Sequence, residues 1–381
     1  MNDRATMLAG APLHNPWLYR RVPFHMVDPM ALITLPDGRT RAILRDIELD
    51  RFSAGGFANS AHSPADFAPA EGLSGDREIA TAQAAAELVA REGIGEVWTD
   101  RSLPMVFAHS LTERGVTVRC DPMMGVLERR SKSRDEVEHL RAAQGLTEQA
   151  VRFACELITG AEAGEGGVLR AGGETLTSES VQAEITIWLL KHGMGPCDSI
   201  VAGGAQGADC HNRGSGPLRT ETPIIIDVFP MHSASRYFGD CTRTVVHGAI
   251  PPDVARFHAA VQRAKADAIR AVRVGVTGQA VHEAAIGAIR TAGYEVGLPG
   301  PDEPDTYAGM VHGTGHGVGL EVHEPPLLDF GGPPLVAGDC LTVEPGVYSR
   351  AIGGVRIEDM VIVTDDGSEN LNSIPEGLGW S

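Results

Sequence analysis

Five residues in the C-terminal part of the chain have types and settings that could hold metal ions: Asp227, Asp240, His316, Glu344 and Glu358. Asp227 interrupts the β-branched run IIIDVFP, and Asp240 opens a second such run, DCTRTVV. Glu344 lies in CLTVEPGVY and Glu358 in GGVRIEDMVIV. The two acids of the first pair are 13 residues apart and those of the second 14. Each pair reads as a hairpin with one acid on each arm, and antiparallel pairing brings such side chains within a few ångströms. Acids are rarely buried unless paired. Two carboxylates about 4 Å apart repel by about 4 kcal/mol at an effective dielectric of about 20. Four such groups must protonate, scatter or bind cations, and two divalent ions match their charge. His316 sits in HGTGHGVGLEVHEPP, whose glycines permit close backbone approach. Four carboxylates with one imidazole suit manganese, cobalt, iron or zinc better than a soft-ligand site would. Two ions roughly 3.5–4 Å apart can acidify a shared water and clamp a carbonyl. The implied chemistry is metal-assisted hydrolysis, with an amide as the expected bond.

The elements that must position these residues follow from pattern. Residues 131–381 read as an α+β domain. Ser133 and Glu136 have capping-box spacing and open a long helix. A second helix covers about 178–192, with Val181, Ile185, Trp188 and Leu189 at helical intervals. Two more follow Pro251-Pro252 and Thr277. The runs SIVAG, PIIIDVF, DCTRTVV, CLTVEP and GVRIEDMVIV read as strands. Residues 1–130 read as a smaller α/β domain. It has a hairpin turning at Asp37-Gly38, a loop from Ser53 to Gly75, a helix ending at Gly93, and strands EVWTD and VTVRC flanking a helix near 103–114.

Around the five residues the sequence resembles the metallopeptidase family with the pita-bread fold, which includes methionine aminopeptidase, aminopeptidase P and prolidase. DVFP, YFGDCTRT, HGTGHGVGLEVHE, LTVEPGVY and GGVRIED carry the resemblance, in the family's order. It covers about 133–366 well and implies a pita-bread catalytic domain over 131–381, preceded by a creatinase-N-like domain over 1–130. It also implies roles. Asp227 would hold one metal alone, Asp240 and Glu358 would bridge both, and His316 and Glu344 would complete the second metal's surroundings. Glu344, beside the bridging hydroxide, would accept and shuttle a proton. His211, His312 and His323 would line the substrate pocket, with His211 and His323 assisting catalysis. Arg356 would support the carboxylates without touching the ions.

The RIED ending and the extra N-terminal domain point to the prolidase and aminopeptidase P branch, which cleaves the bond preceding proline. The expected enzyme is an Xaa-Pro dipeptidase or aminopeptidase acting on small peptides. It would carry two divalent ions, manganese first and cobalt, zinc or iron as alternatives, and form a homodimer. Two stretches depart from the family pattern: MHSASR lengthens the turn between the aspartates, and NPWLYRRVPFHMVDP lacks the usual aromatic strand motif. Two other functions fit the same residues. One is an amidohydrolase or lyase acting on a small non-peptide substrate; the other is a non-catalytic pita-bread binding protein.

Composition narrows the field further. At 381 residues, two compact domains are the natural expectation. A net charge of −18 argues against nucleic-acid binding, which needs clustered Lys and Arg. No apolar run reaches membrane-spanning length, and the N-terminus lacks the apolar stretch of a signal peptide. Six scattered cysteines form no C-x-x-C pair, which fits a reducing cytoplasm. Taken singly, each candidate has a structural explanation: a capped turn, a strand end, a Glu358–Arg356 pair, a hydrogen-bonded histidine. Cys241 should face away from the site, and His247, His258 and His282 read as solvated or structural. Joint occurrence of the five ligands in order is what points to chemistry.

Overall fold

The computed structural model describes residues 4–380, which divide between two compact units, Met1–Arg129 and Arg130–Ser381. No helix among the described residues is long and apolar enough to cross a membrane.

The first unit is built on a mixed sheet whose spatial order is Ser60–His62, Thr40–Ile43, Met30–Thr34, Ala5–Gly10, Glu96–Thr99, Thr117–Cys120. Its central strands are apolar on both sides because both faces are covered. Met7, Ala31 and Ile33 pack on one face, under the helices Arg77–Arg91 and Met105–Glu113. Leu8, Met30 and Leu32 pack on the other, with Trp17, Leu18, Phe24 and Phe52. Side chains alternate across a strand, so neighbours enter different cores. The stretch read as loop from Ser53 to Gly75 is more ordered than expected. Ser60–His62 adds a parallel edge strand to Thr40–Ile43, and Pro64–Phe67 forms a helical turn capped by Ser63. Three residues are too short to show a period-2 signal.

The second unit contains the helices Arg134–Thr159, Ser178–Lys191, Pro252–Ala271 and Gly278–Thr291. The longest begins with the expected capping box, in which Glu136 N–H donates to Ser133 Oγ and Ser133 N–H to Glu136 Oε2. The first two helices pack with the three-stranded sheet Ile200–Gly203, Ile224–Val228, Cys241–Val245. The last two pack with strands of two further sheets. One of these is ordered Glu295–Val296, Gly309–Met310, Gly346–Ser349, Gly353–Arg356; the other is ordered Glu324–Leu328, Gly315–Gly317, Cys340–Val343, Asp359–Thr364, Gly367–Asn370.

Two expected strands are broken. CLTVEPGVY and GVRIEDMVIV do not form one continuous hairpin. Cys340–Val343 pairs with Asp359–Thr364 in one sheet, and Gly346–Ser349 pairs with Gly353–Arg356 in another. The chain changes sheets at Glu344-Pro345 and again at Ile357-Glu358. Proline has no N–H to continue a ladder, which suits the first break.

Candidate metal centre

Each candidate acid stands at or beside a strand end where sheets meet. Asp227 lies on the middle strand of the three-stranded sheet, opposite Thr242 on one side and Ile200 on the other. Asp240 precedes the partner strand. Gln144, fully buried on the long helix, clamps its backbone: Nε2 donates to the Asp240 carbonyl at 2.7 Å, and Oε1 accepts the Asp240 N–H at 2.8 Å. Glu344 follows Cys340–Val343 and donates its N–H to the Thr314 carbonyl. Glu358 occupies the second break, where its N–H donates to the Thr242 carbonyl at 3.1 Å.

His316 is central in Gly315–Gly317, a short strand squeezed between Glu324–Leu328 and Cys340–Val343. The flanking glycines are there for space. A Cβ on Gly315 would lie 2.0 Å from the Thr342 carbonyl oxygen, and one on Gly317 2.4 Å from that of Pro325. His316 Nδ1 lies 3.1 Å from the Gly317 carbonyl and must donate to it. The neutral ring therefore turns an unprotonated Nε2 toward Asp240 Oδ2 at 3.8 Å and Glu344 Oε1 at 3.4 Å. Burial holds the His316 ring below the usual histidine range, which favours this neutral form.

Burial, then the neighbouring Glu358, Asp227 and Glu344 charges, pushes Asp240 well above the usual carboxylate range. Burial, then Glu344 and Asp227, does the same to Glu358. Glu344 is pushed up to about 7, chiefly by burial and against the opposing pull of Arg356. Arg356 Nη2 donates to Asp227 Oδ2 at 2.7 Å, while Asp227 Oδ1 is buried with no hydrogen-bond partner. Ligand atoms of Asp240, His316 and Glu358 lie within 4.8 Å of one another. An unpartnered carboxylate oxygen, a deprotonated imidazole nitrogen and crowded acids together fit divalent cations.

All nine residues singled out in the sequence line one cavity of about 470 Å³: Asp227, Asp240, His316, Glu344, Glu358, His211, His312, His323 and Arg356. The His316 and His323 rings meet edge to face with centroids 4.2 Å apart, and burial lowers the His323 pKa. His312 lines the cavity with both ring nitrogens held by the protein. Its Nδ1 donates to the Gly313 carbonyl at 2.7 Å and its Nε2 accepts from Tyr348 Oη at 2.7 Å, so both nitrogens are occupied. Burial lowers its pKa to about 4, and the ring serves as a neutral wall.

A profile of metallopeptidase family M24 matches residues 138–365. The chain belongs to family M24. Among its M24 relatives, the "Probable dipeptidase PepE" of Mycobacterium tuberculosis is 36% identical over 205 residues, covering 53% of this chain and 51% of that protein. The chain thus spans about half the length of that relative. The "Xaa-Pro dipeptidase" of Pyrococcus horikoshii is 28% identical over 295 residues, 76% of each chain. Among solved structures, the prolidase from Pyrococcus horikoshii OT3 superposes with a TM-score of 0.78 at 22% identity, covering 98% of this chain and 95% of that one. Dipeptidase PepE from Mycobacterium ulcerans gives 0.73 at 26% identity, covering 94% and 88%. The fold is the family's α+β, pita-bread architecture.

Arg356 ends one strand and Glu358 lies in the break that follows, and the guanidinium supports the carboxylate of Asp227. Thr242 Oγ1 donates to Glu358 Oε2 at 2.7 Å, and Thr342 Oγ1 to Glu344 Oε1 at 3.2 Å. Sequence reasoning passed over both threonines, although each stands two residues from an acid, the strand spacing that shares a face. Gln144 carried no local signal. His258 and His282 are buried, with His258 bonded to the Glu376 carbonyl and His282 to Thr314 Oγ1. His247 is half-buried, between Thr220 and the Ala161 carbonyl. None of the three is solvated. Cys241 packs into the apolar core instead of the site.

Proposed function

We propose that this M24 member is a metal-dependent peptidase that hydrolyses the Xaa-Pro bond of dipeptides or peptide N-termini. The observation that carries the reading is Asp227 Oδ1, buried and unpartnered in a cavity where three more acids and His316 Nε2 converge. The printed name of the Pyrococcus horikoshii relative supports the proline preference.

In this reading Asp227 would serve one divalent ion, His316 and Glu344 the other, and Asp240 and Glu358 would be shared by both. Bound divalent ions offset the carboxylate charge, polarise the scissile carbonyl and lower the pKa of water. Glu344 takes a proton from the attacking water onto a carboxylate oxygen and delivers it to the leaving nitrogen; its elevated pKa suits both steps near neutral pH. His211 and His323 hydrogen-bond the peptide at the scissile bond. Arg356 and Thr242 hold Asp227 and Glu358 in place.

Manganese is the proposed ion, since hard oxygen donors dominate. Six free cysteines support a cytoplasmic location. The proposed homodimer follows from the family resemblance and is checked by light scattering. The activity test is purified protein loaded with manganese or cobalt, assayed on Xaa-Pro dipeptides and longer Xaa-Pro peptides. Cleavage before proline is expected, and inactivity across the whole panel would remove the proline preference. Elemental analysis should find two equivalents of metal.

A further inference from the structure

Asp240 and Glu358 both stand outside regular strand pairing. Asp240 precedes the strand Cys241–Val245, and Glu358 falls between Gly353–Arg356 and Asp359–Thr364. No ladder satisfies their main-chain groups, and buried N–H and C=O groups need partners from elsewhere. Gln144 takes both groups of Asp240. The Glu358 N–H reaches the Thr242 carbonyl, and the Glu358 carbonyl accepts from Arg243 Nη1 at 2.6 Å. Three of these four groups thus depend on two long-range side chains, Gln144 and Arg243.

One short segment grips both of those side chains. Gln144 Nε2 also donates to Asn372 Oδ1 at 2.9 Å. Arg243 donates through Nε to the Pro375 carbonyl at 2.9 Å and through Nη2 to that of Ile374 at 3.4 Å. Asn372 Oδ1 accepts a second bond, at 2.8 Å, from the Met360 N–H, two residues beyond Glu358. Its Nδ2 donates to Cys241 Sγ at 3.4 Å, one residue beyond Asp240. A single carboxamide therefore joins the chain next to one acid with the chain next to the other. The segment is anchored in turn by Glu148, one helical turn after Gln144, which accepts from the N–H groups of Ser373 and Ile374. Gln144, Glu148, Arg243 and Asn372 all lie behind the cavity and contribute nothing to its lining.

We propose that Asn372 is a positioning residue of the metal centre, fixing the separation of Asp240 and Glu358 through Gln144 and Met360 and so setting the affinity for divalent cations. This role rests on the reading of those acids as metal ligands and is independent of which peptide bond is cut. Ligand atoms of Asp240, His316 and Glu358 converge within 4.8 Å. Coordination distances hold to within about 0.2 Å, so a small drift of either backbone is felt by an ion that both acids touch.

Manganese titration by calorimetry tests this role, at a temperature where circular dichroism shows every variant folded. In N372L, which keeps the bulk but accepts no hydrogen bond, affinity should fall about tenfold or more. N372D keeps both acceptor positions and should bind manganese more tightly than N372L. In a Q144L background, N372L should cost much less affinity than in wild type, because the route through Gln144 is already cut. I185A removes a fully buried side chain from the same apolar core and touches neither acid's support. It should lower the melting temperature and leave the affinity unchanged. N372L binding as tightly as wild type, no recovery in N372D, or an equal loss in I185A overturns the proposal. N372A takes the place of N372L if the latter does not fold. If wild type itself takes up no manganese, the metal reading fails and this role with it, an outcome distinct from a wild type that binds and an N372L that binds equally well.

Discussion

Arg356 and Asp227 meet with one carboxylate oxygen bonded and the other buried without a partner. The guanidinium thus sets which lone pairs of Asp227 remain for a cation. It also donates to Tyr348 Oη at 3.0 Å, whose hydroxyl donates on to His312, so one fork ties the ligand to the pocket wall. Arg356→Lys keeps the charge and loses the fork. Metal affinity by calorimetry should fall about 10–100-fold, with a parallel loss of activity. Unaltered affinity would show that Asp227 is oriented by other means.

Asp240→Asn removes one charge from the crowded carboxylates. Activity should vanish and bound metal should drop, as measured by elemental analysis. The metal-free variant should nevertheless melt higher than metal-free wild type at pH 8, by on the order of a few degrees. A lower melting temperature would mean that the carboxylates do not repel one another in the folded protein.

The metal-free protein should lose stability as pH rises. Asp240 and Glu358 sit well above the carboxylate range, and Glu344 moves from 4.5 to about 7, in each case mainly through burial. Acids whose folded pKa is raised stabilise the fold while protonated in both states. That contribution is complete below about pH 4.5 and is lost as pH climbs through about 7. Thermal melts in chelator from pH 5 to 8 should fall accordingly, and added manganese should raise the melting temperature more at pH 8 than at pH 5. A flat profile would contradict the crowding.

Gly317→Ala places a methyl 2.4 Å from the Pro325 carbonyl oxygen and 2.6 Å from that of Glu324, both backbone atoms that cannot step aside alone. Denaturant unfolding should show a loss of about 2 kcal/mol or more, with reduced metal content as His316 shifts. Gly287→Ala is the control. That glycine is exposed on the outer side of the Gly278–Thr291 helix with nothing within 4 Å of a new Cβ, so stability should rise by about 0.5–1 kcal/mol.

The acids and His316 were legible because their setting is incongruous: charged residues inside β-branched runs, and a histidine among glycines. Helix starts were legible at Ser133 and Thr277 because capping is local chemistry. The break at Ile357-Glu358 was not, since GVRIEDMVIV alternates like one strand and only the pairing partners reveal two. Gln144 was invisible for a related reason. It acts across the fold on a backbone 96 positions away, and no periodicity reports that. The two hydrogen bonds of His312 were not legible either, because they depend on Tyr348 and a carbonyl that only the folded chain supplies.

The ladder that pairs Val228 with Cys241 and Asp227 with Thr242 sets the spacing of the two aspartates before the intervening turn has any say. The lengthened MHSASR segment can therefore grow, shrink or be exchanged without disturbing the hydrolytic apparatus. That segment contributes no residue to the cavity lining, so changes in its length would act on the surface rather than on the ligands.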